Sequence, residues 1–196
     1  YLALAALGRA RAAQGQYDEA LHLYQRAADI IPQPTIVAAL GDLYAWLGKK
    51  AEAQRQYETV EFIAGLGEVN QVIYNRELAL FYADHDMALD KALELAAREM
   101  AVRRDIYTYD TLAWVLYKNQ RLEEAAKAME EALRLGTQDP MLFFHAGMIY
   151  HGLGQAGLAL QHLEKTMALN PHFSLLHQDQ ARQTMEQLRS AGGSGR

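Results

Sequence analysis

The feature that most limits what this chain can fold into is a repeat. A Leu-Gly or Leu-Ala pair recurs at Leu7-Gly8, Leu40-Gly41, Leu78-Ala79 and Leu112-Ala113, with Ala146-Gly147 as a weaker fifth copy. The steps between them are 33, 38, 34 and 34 residues. A second series keeps the same pace: Ala20, Ala53, Ala92, Ala125 and Ala159, each followed four positions on by Tyr24, Tyr57, Ala96, Met129 or Leu163. A period of this length implies a stack of like units, none of which buries its apolar surface alone.

Each period holds two helix-length patterns. In the first copy Leu4, Leu7 and Arg11 precede a break at Gln14-Gly15-Gln16, and Ala20, Leu21, Tyr24, Ala27 and Ala28 then follow at helical spacing. Asp18 is the expected helix start, with Glu19 beside it favoured by the helix dipole. Gly48 and Gly154 mark the same turn in later copies, and the four prolines (Pro32, Pro34, Pro140, Pro171) all fall at repeat boundaries. Inside a helix each would cost about 3 kcal/mol; at a boundary it costs little. Composition agrees: 33 alanines stand against 14 glycines and 4 prolines. Short side chains at positions such as Gly8 and Ala20 let two antiparallel helices approach closely, and Tyr24 and its counterparts fill the space between one pair and the next.

A large residue, then Leu-Gly, then Tyr three positions on, then Ala, an aromatic and Pro: this pattern resembles the tetratricopeptide repeat. It is fullest in Val37, Leu40-Gly41, Tyr44, Ala53 and Tyr57, and in Phe143, Ala146-Gly147, Tyr150, Ala159, Leu163 and Pro171. The first copy has Arg11 and the fourth Leu116 where Tyr is usual. The third is the most divergent: its turn Asp84-His85-Asp86-Met87 gains a residue, and its second helix carries Ala96 and Glu99 in place of an aromatic and an alanine. The resemblance implies an all-α fold, a right-handed α-solenoid of stacked antiparallel helix pairs. The expected repeats are about 1–33, 34–71, 72–105, 106–139 and 140–173, in one domain over 1–190 with a capping helix at about 174–189. The 38-residue step, around Ala64-Gly65-Leu66-Gly67-Glu68-Val69, predicts a longer helix or loop. On the cap, Leu175, Leu176, Met185 and Leu188 are expected on the apolar side, with Gln178, Asp179, Gln180, Arg182 and Gln183 covering the rest. Residues 191–196 read as a flexible tail or linker. Tyr1 opens in mid-pattern, without a basic region ahead of its apolar residues, so the chain reads as a piece of a longer protein.

Several chemistries are excluded or disfavoured. The net charge of −5, from 19 Lys+Arg and 24 Asp+Glu, gives no basic footprint for nucleic acid. No run is long enough for membrane insertion. Zero cysteines exclude disulfides, thiolate metal sites and cysteine nucleophiles. No nucleophile elbow, Walker loop or dinucleotide fingerprint occurs, so the chain is expected to be no enzyme and to need no cofactor. None of the seven histidines is paired at i, i+4, and His85 between Asp84 and Asp86 reads as a solvated turn rather than an ion site.

A binding groove is better supported. In the fourth copy Leu112, Ala113 and Leu116 form a core stripe, yet Tyr107, Asp110, Trp114 and Tyr117 with Lys118 repeat on roughly the opposite side. A helix with one core face has no use for a second aromatic face unless something covers it. Met141, Phe144, Met148 and His151 repeat the arrangement in the fifth copy. The other stripes are plainer: Leu2, Ala5, Arg9 and Ala12; Thr35, Ala38, Asp42 and Trp46; Ile73, Arg76, Leu80 and Asp84. Their charges cancel, Arg9, Arg76 and Lys118 against Asp42, Asp84 and Asp110, which disfavours a clamp for an acidic chain terminus. The resemblance implies that first helices line a concave surface for a protein or peptide partner. The expected contacts are Arg76, Tyr107, Asp110, Trp114, Tyr117, Lys118, Phe144, Met148 and His151. Two alternatives stand beside this: Trp114 and Phe144 pack between repeats, and the module self-associates as a homo-oligomer or docks onto its own chain.

Overall fold

The computed structural model describes residues 1–70 and 74–193; Ile73 of the third stripe and the tail residues 194–196 lie outside them. Among the described residues every regular element is a helix. In order these are α1 (Leu2–Ala13), α2 (Tyr17–Ile30), α3 (Pro34–Trp46), α4 (Lys50–Asn70), α5 (Asn75–Asp84), α6 (Leu89–Val102), α7 (Ile106–Lys118), α8 (Leu122–Leu133), α9 (Pro140–Gly152), α10 (Ala156–Leu169) and α11 (Gln178–Gly193). They fall into two compact units, Tyr1–Phe81 and Tyr82–Arg196, with the division inside α5.

In the first unit α1 packs on α2, α2 on α3 and α3 on α4. The two sequence series explain why. A Cβ built on Gly8 would stand 3.3 Å from the ring of Tyr24, and one on Gly41 only 2.6 Å from Tyr57. The glycine of one series is therefore the seat for the large residue of the other, within its own helix pair. Tyr57 also reaches onward, its ring centroid 5.8 Å from that of Phe81. Asp18 is not the cap of α2: the helix begins one residue earlier, at Tyr17, with Asp18 and Glu19 in its first turn. Pro34 opens α3 in its first turn, where its missing N–H costs nothing. The long step of the repeat is absorbed by α4, 21 residues against 14 for α2.

The second unit continues the scheme: consecutive helices pack from α6 to α11, and α7 also meets α9. Ala113, Leu116, Ala125, Met129, Leu142, Ala146 and Ile149 form its core. Gly147 seats Leu163 as Gly41 seats Tyr57, with 2.6 Å to an added Cβ. Asp105 caps α7 by accepting from the N–H groups of Tyr107 and Thr108, and Asp139 caps α9 through the N–H of Met141. The turns within pairs use a left-handed residue: Gly15 (φ 75°), Gly48 (φ 74°) and Gly154 (φ 73°), but Gln120 (φ 61°) in the fourth copy. In the third copy the extra residue produces two such positions, Asp86 (φ 52°) and Ala88 (φ 40°).

The C-terminal segment differs from expectation in two ways. Residues 171–177 form turns and α11 begins at Gln178, after one bond from the Gln178 N–H back to the Ser174 carbonyl at 3.1 Å. Asn170 accepts from the N–H of His172 (2.9 Å), a local bond that competes with helix here, and α11 then runs on to Gly193. Of the side expected to be apolar, Met185 is buried, whereas Leu175, Leu176 and Leu188 are only half-buried. Gln178, expected among the covering polar residues, is buried, as are His177 and Thr184. The segment turns a partly polar side inward. No helix among the described residues is long and apolar enough to cross a membrane.

Candidate functional site

The centre of the second unit is Trp114, 1% exposed on α7. Its indole Nε1–H donates to Asp84 Oδ1 at the end of α5 (2.8 Å). Tyr117, one turn on, stacks on it at 5.0 Å, and His145 of α9 stacks at 4.3 Å. Asp110, one turn before Trp114, holds His145 through Nδ1 at 2.8 Å. A tryptophan at this repeat position thus brings its polar edge and both flanking helices into one buried cluster. Placing an indole in a core requires a partner for its N–H, and Asp84 supplies it.

The C-terminal segment closes the cluster. His177 donates through Nε2–H to the same Asp84 Oδ1 at 3.0 Å and stacks on Phe144 at 4.9 Å. Phe173 lies 5.2 Å from Phe144, and the hydroxyl of Thr184 is 3.9 Å from Met148 Sδ. The covering that the second aromatic stripe demanded is present, and the chain's own C-terminal segment provides it.

Two carboxylates and two imidazoles therefore share a dry site. Burial pushes the Asp84 carboxyl up, but the hydrogen bond and charge of His177, the charge of His145 and the indole N–H outweigh it and hold it below the usual carboxylate value. Burial likewise pushes His145 down. The charge and hydrogen bond of Asp110, with Asp84 and Asp139 behind it, win and raise it. The other ring nitrogen of His145, Nε2, is buried with no hydrogen-bond partner among the described residues.

The expected contact residues separate into a floor and a rim. Trp114, Phe144 and Met148 are buried, and Asp110 is 6% exposed; these form the floor under the segment. Tyr107 is 41% exposed. Tyr117, Lys118 and His151 are half-buried at the edge, where Lys118 pairs with Asp86 (2.6 Å) and sits over the Trp114 ring at 5.3 Å. Arg76 belongs to the first unit, 3.5 Å from the Glu77 carboxylate. Asp84 and Asp86 are drawn to His177 and Lys118 rather than to a shared ion, and among the described residues no group of three or more His, Asp or Glu is placed to hold a metal.

Sequence reasoning missed Asp84, His145, Phe173 and His177 as site members. A signal existed: His145 interrupts the apolar run Met141–Tyr150, and a histidine there needs a buried partner. The acidic stripe residues are likewise spent inside the structure, since Asp42 accepts from the Tyr57 hydroxyl at 3.0 Å. Counting stripe charges as though all faced a ligand was therefore the wrong measure.

Residues 1–34 and 106–139 match the family model described as tetratricopeptide repeat. Protein O-mannosyl-transferase TMTC1 of Homo sapiens is 28% identical over 175 residues, covering 86% of this chain. The chain spans only 19% of that relative. The crystal structure of the APC/C hetero-tetramer Cut9-Hcn1 is similar over 95% of this chain and 35% of its own, with a TM-score of 0.52 and 17% identity. A MamA mutant is similar over 86% of this chain and 96% of its own, at 21% identity and a TM-score of 0.42. The fold is all-α, with antiparallel helix pairs stacked in sequence, and it is a fold that protein-interaction scaffolds use.

Proposed function

We propose that this chain, which carries tetratricopeptide repeats, is a non-catalytic scaffold that takes a polypeptide segment of a partner on the inner faces of its first helices. One observation carries the reading: the stripe of Trp114, Phe144 and Met148 already holds a polypeptide segment, the chain's own residues 173–184. Such a surface, large aromatic anchors with a few polar groups among them, is the composition that dominates binding energy at interfaces. Tyr107, Tyr117, Lys118 and His151 are the rim that a partner meets first, with Asp110, Trp114, Phe144 and Met148 as the floor. Arg76 is assigned to the same role in its own unit. The transferase activity in the name of the human relative is that protein's. With this chain spanning about a fifth of it, a scaffold role within a larger protein fits both.

The test is affinity capture with the wild-type chain and a Tyr107→Ala/Lys118→Glu variant of matched helicity and melting temperature, followed by titration of each captured protein in purified form. Saturable binding by wild type, weakened at least tenfold in the variant, supports the reading. Equal binding by both places recognition elsewhere. The second reading, self-association or docking onto other parts of a longer chain, is favoured by the apolar residues that α1 and α2 expose: Leu2 at 63% and Ile30 at 58%. Mass that rises with concentration selects it.

A further inference from the structure

The residues that cover the inner stripe are chemically mismatched to it. Beneath lie Trp114, Phe144 and Met148, all large and apolar. Above them the buried members of the segment are three polar residues, His177, Gln178 and Thr184, beside Ala181 and Met185, while its larger apolar residues Phe173, Leu175 and Leu176 are only half-buried. A permanent lid on such a floor is expected to be apolar, because each large side chain laid against it adds stability. This lid leaves much of that gain unused. It also leaves a polar debt, the buried and unpartnered Nε2 of His145. It reaches α5 through the His177–Asp84 contact, and its outer ties, Arg189 to Glu164 and Arg182 to the Pro171 carbonyl, are exposed. Elements held by few buried apolar contacts and exposed polar ones are the first to open.

What the segment does insert is specific. Phe173 and His177 are four residues apart in the segment that leads into α11, and both meet Phe144. His177 also reaches Asp84.

We propose that residues 171–185 are a displaceable internal ligand, and that the surface they cover binds a partner segment carrying an aromatic residue four positions before a histidine. The inference rests on the scaffold reading and deepens it, naming the side chains that the floor selects and the element that must leave first. The partner's aromatic ring takes the place of Phe173 on Phe144, and its imidazole replaces His177 at Asp84. A partner segment with a carbonyl or carboxylate acceptor near His145 gains a bond that the internal ligand lacks.

The probe is a labelled synthetic peptide of residues 170–185 of this chain, titrated by fluorescence anisotropy into the full chain and into its Phe173→Ala/His177→Ala variant. The expected result is saturable binding to the variant at least tenfold tighter than to wild type. The same peptide with both its Phe and His replaced by Ala is expected not to bind. Equal affinity for wild type and variant overturns the displacement. Failure to bind a variant whose α11 amides exchange faster than those of wild type overturns the site. Should the double variant melt far below wild type, His177→Ala alone serves instead. It leaves Asp84 and the floor intact for the peptide's imidazole, and about threefold tighter peptide binding than to wild type is expected; no change overturns the proposal. A wild-type chain that is dimeric at assay concentration through exchange of this segment makes a second copy the occupant and overturns the partner assignment. The scaffold reading stands or falls separately: its rim variant is scored on captured proteins, with no peptide present.

Discussion

The first-helix stripes of the two units start from the same repeat positions and end unequally buried. In the first unit Leu2, Arg9, Thr35 and Trp46 are exposed, with Trp46 at 38%, while Ala12 is buried and Ala5, Ala38 and Asp42 are half-buried. In the second, Asp110, Trp114, Phe144 and Met148 are buried, roofed by residues 171–185 and tied together by two His–Asp contacts. Repeat position alone therefore does not decide whether a side chain is surface or core. What decides it is whether the chain later supplies something to lay across it.

The sharpest way to break this contrast is to truncate the two tryptophans. Trp114→Ala removes a buried, hydrogen-bonded ring and is expected to cost about 3–5 kcal/mol in chemical denaturation. Trp46→Ala is expected to cost less than about 1 kcal/mol. Equal losses would mean that the two stripes are alike after all. Next in size come the glycine seats. Gly147→Ala drives a methyl to 2.6 Å from Leu163 and is expected to cost about 1–3 kcal/mol. Gly8→Ala meets Tyr24 at 3.3 Å, and the helix preference of alanine, worth about 1 kcal/mol, offsets that contact. A Gly8→Ala chain melting near wild type checks it.

Acid and base act on the His–Asp cluster of the second unit. His145 is raised in the folded state, so its contribution is complete below about pH 6.5 and is lost as pH climbs through the raised value. Asp84 is lowered, so its contribution is complete above about pH 3.9 and is lost as pH falls further. The melting temperature is expected to fall on raising the pH from about 5.5 to 8.5, and Asp110→Asn is expected to flatten that slope. An unchanged slope in that variant would detach His145 from the effect. One substitution is expected to be a gain. Gln120 holds φ 61° where the other turns use glycine, so Gln120→Gly relieves left-handed strain and is expected to add about 0.5–1 kcal/mol.

These expectations also mark where the sequence was readable. Close helix pairing was legible at Gly8 and Gly41, where a missing side chain lets two helices approach; that Tyr24, Tyr57 and Leu163 fill those seats within their own pair, rather than the space between pairs, was not. The amphipathic stripe at Trp114 was equally visible, and so was the need to cover it. The identity of the cover was not. Helical spacing reports that a face is apolar, not which of several candidates lies on it, and Phe173 stands 59 residues beyond Trp114. The cap itself was misjudged at Gln178 because polarity was taken for exposure, whereas Thr184 and His177 are buried against partners on other helices. Polar residues chosen for a specific buried contact look, in isolation, like solvent-facing ones.

The placement of the two tryptophans has a practical consequence. Trp46 and Trp114 are the only indoles in the chain, and each unit holds one. One is 38% exposed; the other is stacked between rings and bonded to a carboxylate. Their emission bands are expected to separate, the first red-shifted and the second blue-shifted. The molecule thus carries a built-in two-colour gauge, in which departure of the C-terminal segment reads out as a change in the blue component while the red one stays still.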